Sequence, residues 1–201
     1  EAINTEIDRL MLGIPLSQKS NQQLSLIRQC AIDISHNLSQ LKGYKNEMFS
    51  PKDRWHGLKD LIAEAFDVFY KKYPDVDVDF PLIPNSNAQI LDQTGLLPVA
   101  ISNVLENAWE ARTQITPHLA FEIVEYEQAV SFKIVDNGKG IAFTEKDLIF
   151  NPFYTDHPGS GHLGVGLSVS RAIINANNGE LKIESLANPT IFTINLPTKK
   201  A

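Results

Sequence analysis

The sequence predicts an α+β chain: a helical hairpin followed by a two-layer α/β sandwich, a mixed sheet with helices on one face. Three observations predict it. Residues 1–49 carry their apolar residues at helical, heptad-like spacing. From residue 57 onward the apolar period switches repeatedly, in the order helix, strand, helix, strand, strand, loop, helix, strand, strand. That order lacks the regular strand–helix alternation of a doubly wound nucleotide fold. Mixed runs of this kind favour helices layered on one side of a sheet.

The hairpin comes first. Ile3, Ile7, Leu10 and Ile14 recur at alternating four- and three-residue steps, and Leu24, Ile27, Ala31, Ile34, Leu38 and Leu41 continue the alternation. Between them "GIPLSQKSNQ" reads as a turn. So narrow a stripe on two helices leaves apolar surface uncovered, and dimerisation into a four-helix bundle covers it. Packing of the hairpin on its own domain is the alternative.

The sandwich is expected over residues 55–198. Pro51, in "MFSPKDRW", ends any preceding helix. Leu58, Leu61, Ile62, Ala65, Phe66 and Phe69 mark an amphipathic helix, after which "DVDVDF" alternates as a half-buried strand. "PLIPNSNAQ" reads as a loop, and residues 96–112 as a second helix with Val99, Ile101, Val104, Leu105 and Ala108 inward. "LAFEIVEYE" and "AVSFKIVDNG" form a hairpin turning at Glu127–Gln128. A loop-rich stretch, 137–163, leads to a helix over 164–177, closed by "NNG" with Gly179 in the C-terminal position. "ELKIES" and "TIFTINLP" complete the strands.

Composition narrows the function. The formal net charge is −6 and the 18 Lys and Arg residues are scattered, which argues against a nucleic-acid or polybasic membrane surface. The single cysteine, Cys30, rules out an intrachain disulfide and a cysteine-cluster metal site, and fits a reducing cytoplasm. No apolar run approaches the roughly 20 residues that span a bilayer. Position 1 is Glu rather than Met, so a fragment is expected, with any sensor or membrane anchor upstream.

Four short motifs carry the chemistry. In "NVLENAWEA", Asn103 and Asn107 stand four apart, one turn apart on one helix face. A carboxamide oxygen is a hard neutral ligand suited to Mg²⁺, although helical Asn also serves as a simple surface residue. In "DNGKGI", Asp136 can accept from an exocyclic amine while the glycines admit a planar ring; Asp-Asn-Gly also makes ordinary turns. "IFNPFYT" places aromatics in a loop, where they anchor it to the core or hold a lid over a ligand. "GHLGVGL" sets glycines before a helix, whose free N–H groups and dipole favour an anion.

In this order, and ending in "FTINLP", the motifs resemble the catalytic ATP-binding domain of bacterial sensor histidine kinases, within the gyrase, Hsp90, histidine kinase and MutL superfamily with the Bergerat fold. The hairpin resembles part of that family's dimerisation and phosphoacceptor domain. The short "NPFYT" lid is similar to that of nitrogen-regulation kinases.

The resemblance implies ATP and Mg²⁺ as ligands and a response-regulator receiver domain as partner. It implies that Asn107 ligates Mg²⁺, with Asn103 beside it at the triphosphate. Asp136 would bind the adenine amino group, helped by Gly138 and Gly140, with Ile141 near the base. Phe150, Phe153 and Tyr154 would anchor the lid. Gly161, His162, Leu163, Gly164, Val165, Gly166 and Leu167 would line the phosphates, and Thr193, ahead of Thr190, would support a water in the adenine site. Two departures stand out. The ATP-hydrolysing relatives carry a Glu base where this chain has Asn103, which favours a kinase. His162 and Leu163 replace the first residues of the usual G-T-G-L-G-L box.

A histidine kinase needs an acceptor imidazole. His36 in "DISHNLSQLKGY" is the candidate within the chain, but Asn37 replaces the usual acidic residue and no R-x-P follows. The acceptor is therefore expected before Glu1, since "AINTEIDRL" resembles the residues after such a histidine. His56, His118 and His157 stand in no motif. The competing readings are an anti-sigma-factor-like serine kinase or partner-switching protein of the same fold, and a degenerate dimerisation module that no longer binds ATP.

Overall fold

The computed structural model describes residues 54–80, 83–112, 117–155, 164–186 and 189–200. Ser50–Tyr154 and Gly164–Ala201 make one compact unit; Glu1–Phe49 falls in a second, so the hairpin expected there, with His36, lies outside the described residues.

The elements run β1 (Arg54–Gly57), α1 (Leu58–Lys72), β2 (Ala88–Asp92), α2 (Leu97–Glu110), β3 (Leu119–Glu125), β4 (Ala129–Asp136), two 3₁₀ turns (Phe143–Glu145 and Leu148–Phe150), α3 (Gly166–Ala176), β5 (Glu180–Ser185) and β6 (Thr190–Lys200). The long β6 organises the sheet. One edge pairs with β4; the other pairs first with β5 and then, at residues 198–200, with β2, which carries β1. All these pairings are antiparallel, and a parallel bridge between Asp79 and Ala120 at the β3 edge makes the sheet mixed. The "DVDVDF" stretch is reduced to that bridge, yet it keeps its alternation, with Val76 and Val78 buried.

Side-chain parity sorts the two faces. Phe132, Ile134, Phe192, Ile194, Leu196 and Leu181 point to the helices and are buried. On the opposite face Lys133 pairs with Glu184 at 2.9 Å, as expected of an antiparallel sheet with one wet side. The six apolar positions marking α1 are all buried, and Phe66 and Phe69 join Phe80, Phe121 and Phe132 in a chain of edge-on and stacked rings. Such pairs are worth about 0.5–1.5 kcal/mol each beyond their burial. Glu127–Gln128 is the two-residue turn of the β3–β4 hairpin, closed by the Tyr126 N–H donating to Ala129 O at 2.8 Å.

Two expectations about local structure are corrected. The pattern predicts no strand at 54–57 and a loop over "PLIPNSNAQ", yet β1 and β2 form an antiparallel pair with His56 opposite Ile90. The left-handed residue that ends α3 is Asn178 (φ 58°), not Gly179. Gly179 is instead required for close approach, since a Cβ there would lie 2.6 Å from Asn195 O.

α2 begins with an unusual cap. The residue before it, Leu96, has no capping side chain, and the buried Asp92 supplies the acceptors. Its Oδ1 accepts from Thr94 N (3.0 Å), Thr94 Oγ1 (2.8 Å) and Gly95 N (2.7 Å), and Oδ2 accepts from Leu97 N (3.1 Å). His56 Nε2 lies 3.7 Å from Oδ2 and Nδ1 lies 3.8 Å from Glu64 Oε1. Burial alone would raise the Asp92 carboxyl, but the imidazole and these donors hold it below the usual range.

Candidate functional site

α2 and α3 run antiparallel, and three contacts fix their register. Asn177, just past α3, accepts from Gln93 N at 2.6 Å and donates through Nδ2 to Thr94 Oγ1 at 3.0 Å. Ser170 Oγ donates to Ala100 O at 3.0 Å. Continuing this course by four residues on each helix brings Gly166 level with Val104, between Asn103 and Asn107. The glycine-led start of α3 and the two asparagines therefore share one end of the helix pair.

The strand end bearing Asp136 reaches the same region. Lys139 N donates to Ala111 O, just past α2, at 3.0 Å. A Cβ at Gly138 would lie 2.4 Å from that oxygen and 2.7 Å from Asp136 Oδ1, so only glycine lets the 137–140 loop close on the helix end. Gly140 adopts φ 76°, and Ile141, half-buried against the core, donates to Leu186 O at 2.8 Å.

Asp136 is 2% exposed, and its Oδ1 accepts from Gly138 N at 2.8 Å. Its Oδ2 is buried with no hydrogen-bond partner among the described residues. Burial pushes this carboxyl above its ordinary range, against smaller lowering by the Gly138 N–H and the Thr190 side chain. A buried acceptor without a donor is costly, about 1–3 kcal/mol, and is the kind of feature that a ligand amine satisfies.

Asn103 and Asn107 are half-buried, and neither carboxamide has a hydrogen bond among the described residues. The acidic side chains of the same helix are engaged: Lys72 Nζ contacts Glu106 Oε2 at 2.6 Å and Glu110 Oε1 at 3.5 Å. Glu110 also accepts from the Tyr73 hydroxyl at 2.5 Å; burial and this carboxylate push the phenol up to about 12. No group of three His, Cys, Asp or Glu side chains able to hold a metal ion occurs among the described residues.

α3 starts at Gly166, two residues later than expected, and Val165 provides no side-chain cap. Its first N–H groups thus lack the carboxylate that serves α2. A Cβ at Gly166 would meet no atom within 4 Å, whereas one at Gly164 (φ 65°) would lie 2.2 Å from Tyr154 O. Gly164 and Tyr154 pinch together the two ends of the intervening segment. Leu167 is buried in the core.

Two assignments change. Thr193 is on the wrong face: it pairs with Lys133, and its hydroxyl donates to Glu184 at 2.8 Å on the side away from the helices. Thr190, directly opposite Asp136 and 3% exposed, is the threonine beside the carboxylate. Phe153 does not anchor anything into the core; it is 67% exposed with φ 68°. Phe150 packs partly against the core, with the Arg171 guanidinium 4.8 Å above its ring. Gly161, His162, Leu163 and His157 lie outside the described residues. The positions missed from sequence are Asp92 and Asn177; an Asp three before a Gly in "DQTG" was the available signal for the cap.

Residues 92–200 match the family described as "Histidine kinase-, DNA gyrase B-, and HSP90-like ATPase". The signal transduction histidine-protein kinase AtoS of Escherichia coli (strain K12) is 37% identical over 199 residues, covering 96% of this chain and 31% of AtoS. The sensory histidine kinase/phosphatase NtrB of Vibrio alginolyticus is 39% identical over 158 residues, covering 73% of this chain and 43% of NtrB. Among solved structures, the mycobacterial sensor histidine kinase MprB superposes with a TM-score of 0.62 at 20% identity, over 75% of this chain and 100% of that one. The catalytic domain of the histidine kinase ThkA does so with a TM-score of 0.60 at 23% identity, over 73% and 95%. The chain spans less than half the length of these two curated relatives.

Proposed function

Because the chain belongs to the histidine kinase-, DNA gyrase B- and HSP90-like ATPase family, and is an ATPase domain of the sensor-kinase kind, we propose that it binds ATP with Mg²⁺ and delivers the γ-phosphoryl group to a histidine, for relay to a response-regulator receiver domain. The observation that carries this reading is the buried Asp136, whose Oδ2 has no partner among the described residues, at the same end of the fold as two carboxamides without hydrogen bonds among those residues and a helix start without a side-chain cap.

Each residue then has a task. Asp136 accepts a hydrogen bond from the adenine amino group, with Thr190 beside it, and Gly138 and Gly140 keep the loop clear of the ring. The N–H groups opening α3 face phosphate oxygens. Asn107, with Asn103, is the neutral oxygen donor that would hold Mg²⁺, which when bound offsets charge on the phosphates. Asn103 occupies the position of a hydrolytic base, and Glu106 is held by Lys72, so the described part of α2 offers no spare carboxylate to activate water. Transfer to an imidazole suits such a site better than hydrolysis. On this reading the acceptor is a histidine other than His36, and residues 1–49 serve dimerisation. Among the described residues no helix is long and apolar enough to cross a membrane.

Calorimetry with ATP and Mg²⁺ tests the site. Wild type binds, while Asp136→Asn and Asn107→Ala, both folded by circular dichroism, bind at least about tenfold more weakly. Undiminished affinity in either variant overturns its assignment.

A further inference from the structure

Among the described residues, the hydrogen bonds that tie the two helices of the site gather toward one end. At the far end Asn177 grips the turn before α2 through Gln93 N and Thr94 Oγ1, and it also donates to Ile173 O at 2.8 Å, so its side chain is fully committed. Thr94 passes the contact on to Asp92 Oδ1, and Asp92 caps α2. Asn177 and Asp92 are 2% and 1% exposed, which makes this a desolvated network in which each lost bond strands a partner. Ser170 Oγ to Ala100 O is the next link, one turn into α2. Beyond it, toward Asn103, Asn107 and Gly166, no hydrogen bond joins the helices among the described residues.

We infer that Asn177, Thr94 and Asp92 form a clamp that sets the spacing between α2 and α3 at their open end, and so act as positioning residues for the triphosphate. The geometry is that of tongs: two stiff helices joined at the base, with ligand groups at the tips. A small rotation at the base moves Gly166 relative to Asn107. It leaves Asp136 in place, because that residue stands on β4 and is held in the sheet on both sides, opposite Leu119 of β3 and Thr190 of β6. The clamp therefore governs the phosphate half of the site and not the adenine half. This rests on the nucleotide reading above, but one of its consequences does not.

The experiment uses the full chain with Thr94→Val, a near-isosteric change that removes one acceptor and one donor, and Ser170→Ala as the milder variant. Without nucleotide, the backbone amide resonances of Gly166–Ser168 and of Asn107 shift in Thr94→Val while that of Ile134, in the middle of the sheet, does not. With nucleotide, affinity for ATP with Mg²⁺ falls about tenfold, and affinity for adenosine, measured by NMR titration, stays within twofold. Ser170→Ala shows the same split at smaller size and supplies the answer should Thr94→Val not fold. Equal weakening for both ligands, or unmoved amides at the tips, overturns the clamp. A wild-type chain that binds neither ligand, with the tip amides still responding to Thr94→Val, sinks the nucleotide reading and keeps the clamp.

Discussion

Asp92 and Asp136 are both buried, both end a strand, and both lead into a turn containing glycine, yet they occupy opposite electrostatic states. Asp92 accepts four hydrogen bonds and is held below the usual carboxylate range. Asp136 accepts one, leaves Oδ2 bare, and is pushed above that range by burial. Burial is the same, so the partners decide. A satisfied buried carboxylate holds its own surroundings together; an unsatisfied one destabilises the free protein and is retained for what it meets.

The largest expected effect tests the satisfied member. Asp92→Ala removes the cap of α2 and strands buried N–H groups, so stability should fall by about 3 kcal/mol in urea denaturation. A loss no larger than that of a surface substitution would break the comparison. Next comes Asp136→Asn, whose two effects should have opposite signs. Affinity for ATP drops between about tenfold and a hundredfold, as expected when a charged hydrogen bond worth about 1.5–3 kcal/mol is lost. The nucleotide-free protein gains on the order of 1 kcal/mol, because a desolvated charge has gone. A destabilised Asp136→Asn would mean that the carboxylate has a structural partner after all.

The two residues should also respond to pH in opposite ways. Asp92 has a depressed folded-state pKa, so its contribution is present above the unfolded value, about 3.9, and disappears as pH falls through the lower folded value. Asp136 has a raised one, so its contribution is present below about 3.9 and disappears as pH rises through the higher folded value. The stability gap between wild type and Asp92→Asn should therefore close in acid, while the gain from Asp136→Asn should appear only above about pH 4 and grow from there. Urea titrations of the three proteins across pH 3–7 would show both trends. Parallel curves would remove the electrostatic distinction.

What the sequence disclosed follows the same divide between local and long-range causes. α1 was legible because six apolar residues, five of them large, fall at helical spacing, and the β3–β4 hairpin because alternation flanks a short polar turn. β2 was hidden: its inward residues are Ala88, Ile90 and Asp92, so the pattern of burial is not a pattern of hydrophobicity. β1 has four residues, one of them a buried histidine. In the site, Asp136 and its glycines sit within six residues of one another, and their loop shape is set locally. The choice of Thr190 over Thr193 depends on cross-strand register, which fixes the face of every residue in β6 and cannot be read from one strand. The Asn177–Thr94 contact joins positions 83 apart, and nothing in either neighbourhood announces it.

The smallest effect extends the contrast from charge to backbone. Two described residues other than glycine have positive φ: Asn178 at the clamped end and Phe153 at the open end. Asparagine tolerates that conformation after a helix, whereas a bulky aromatic there is strained. Phe153 recovers little through burial, being 67% exposed, and its carbonyl carbon runs so near Gly164 that a Cβ added there would come within 2.9 Å. Phe153→Gly should then raise thermal stability by about 0.5–1 kcal/mol in the nucleotide-free protein, the strain relieved slightly exceeding the chain entropy that glycine adds to the unfolded state. Asn178→Gly, where no such strain exists, should change stability by no more than a few tenths of a kcal/mol. Loss of stability in Phe153→Gly would show that the exposed ring is held by contacts strong enough to offset its backbone. The open end would then be built as conservatively as the clamped one, and only the bare oxygen of Asp136 would set the two apart.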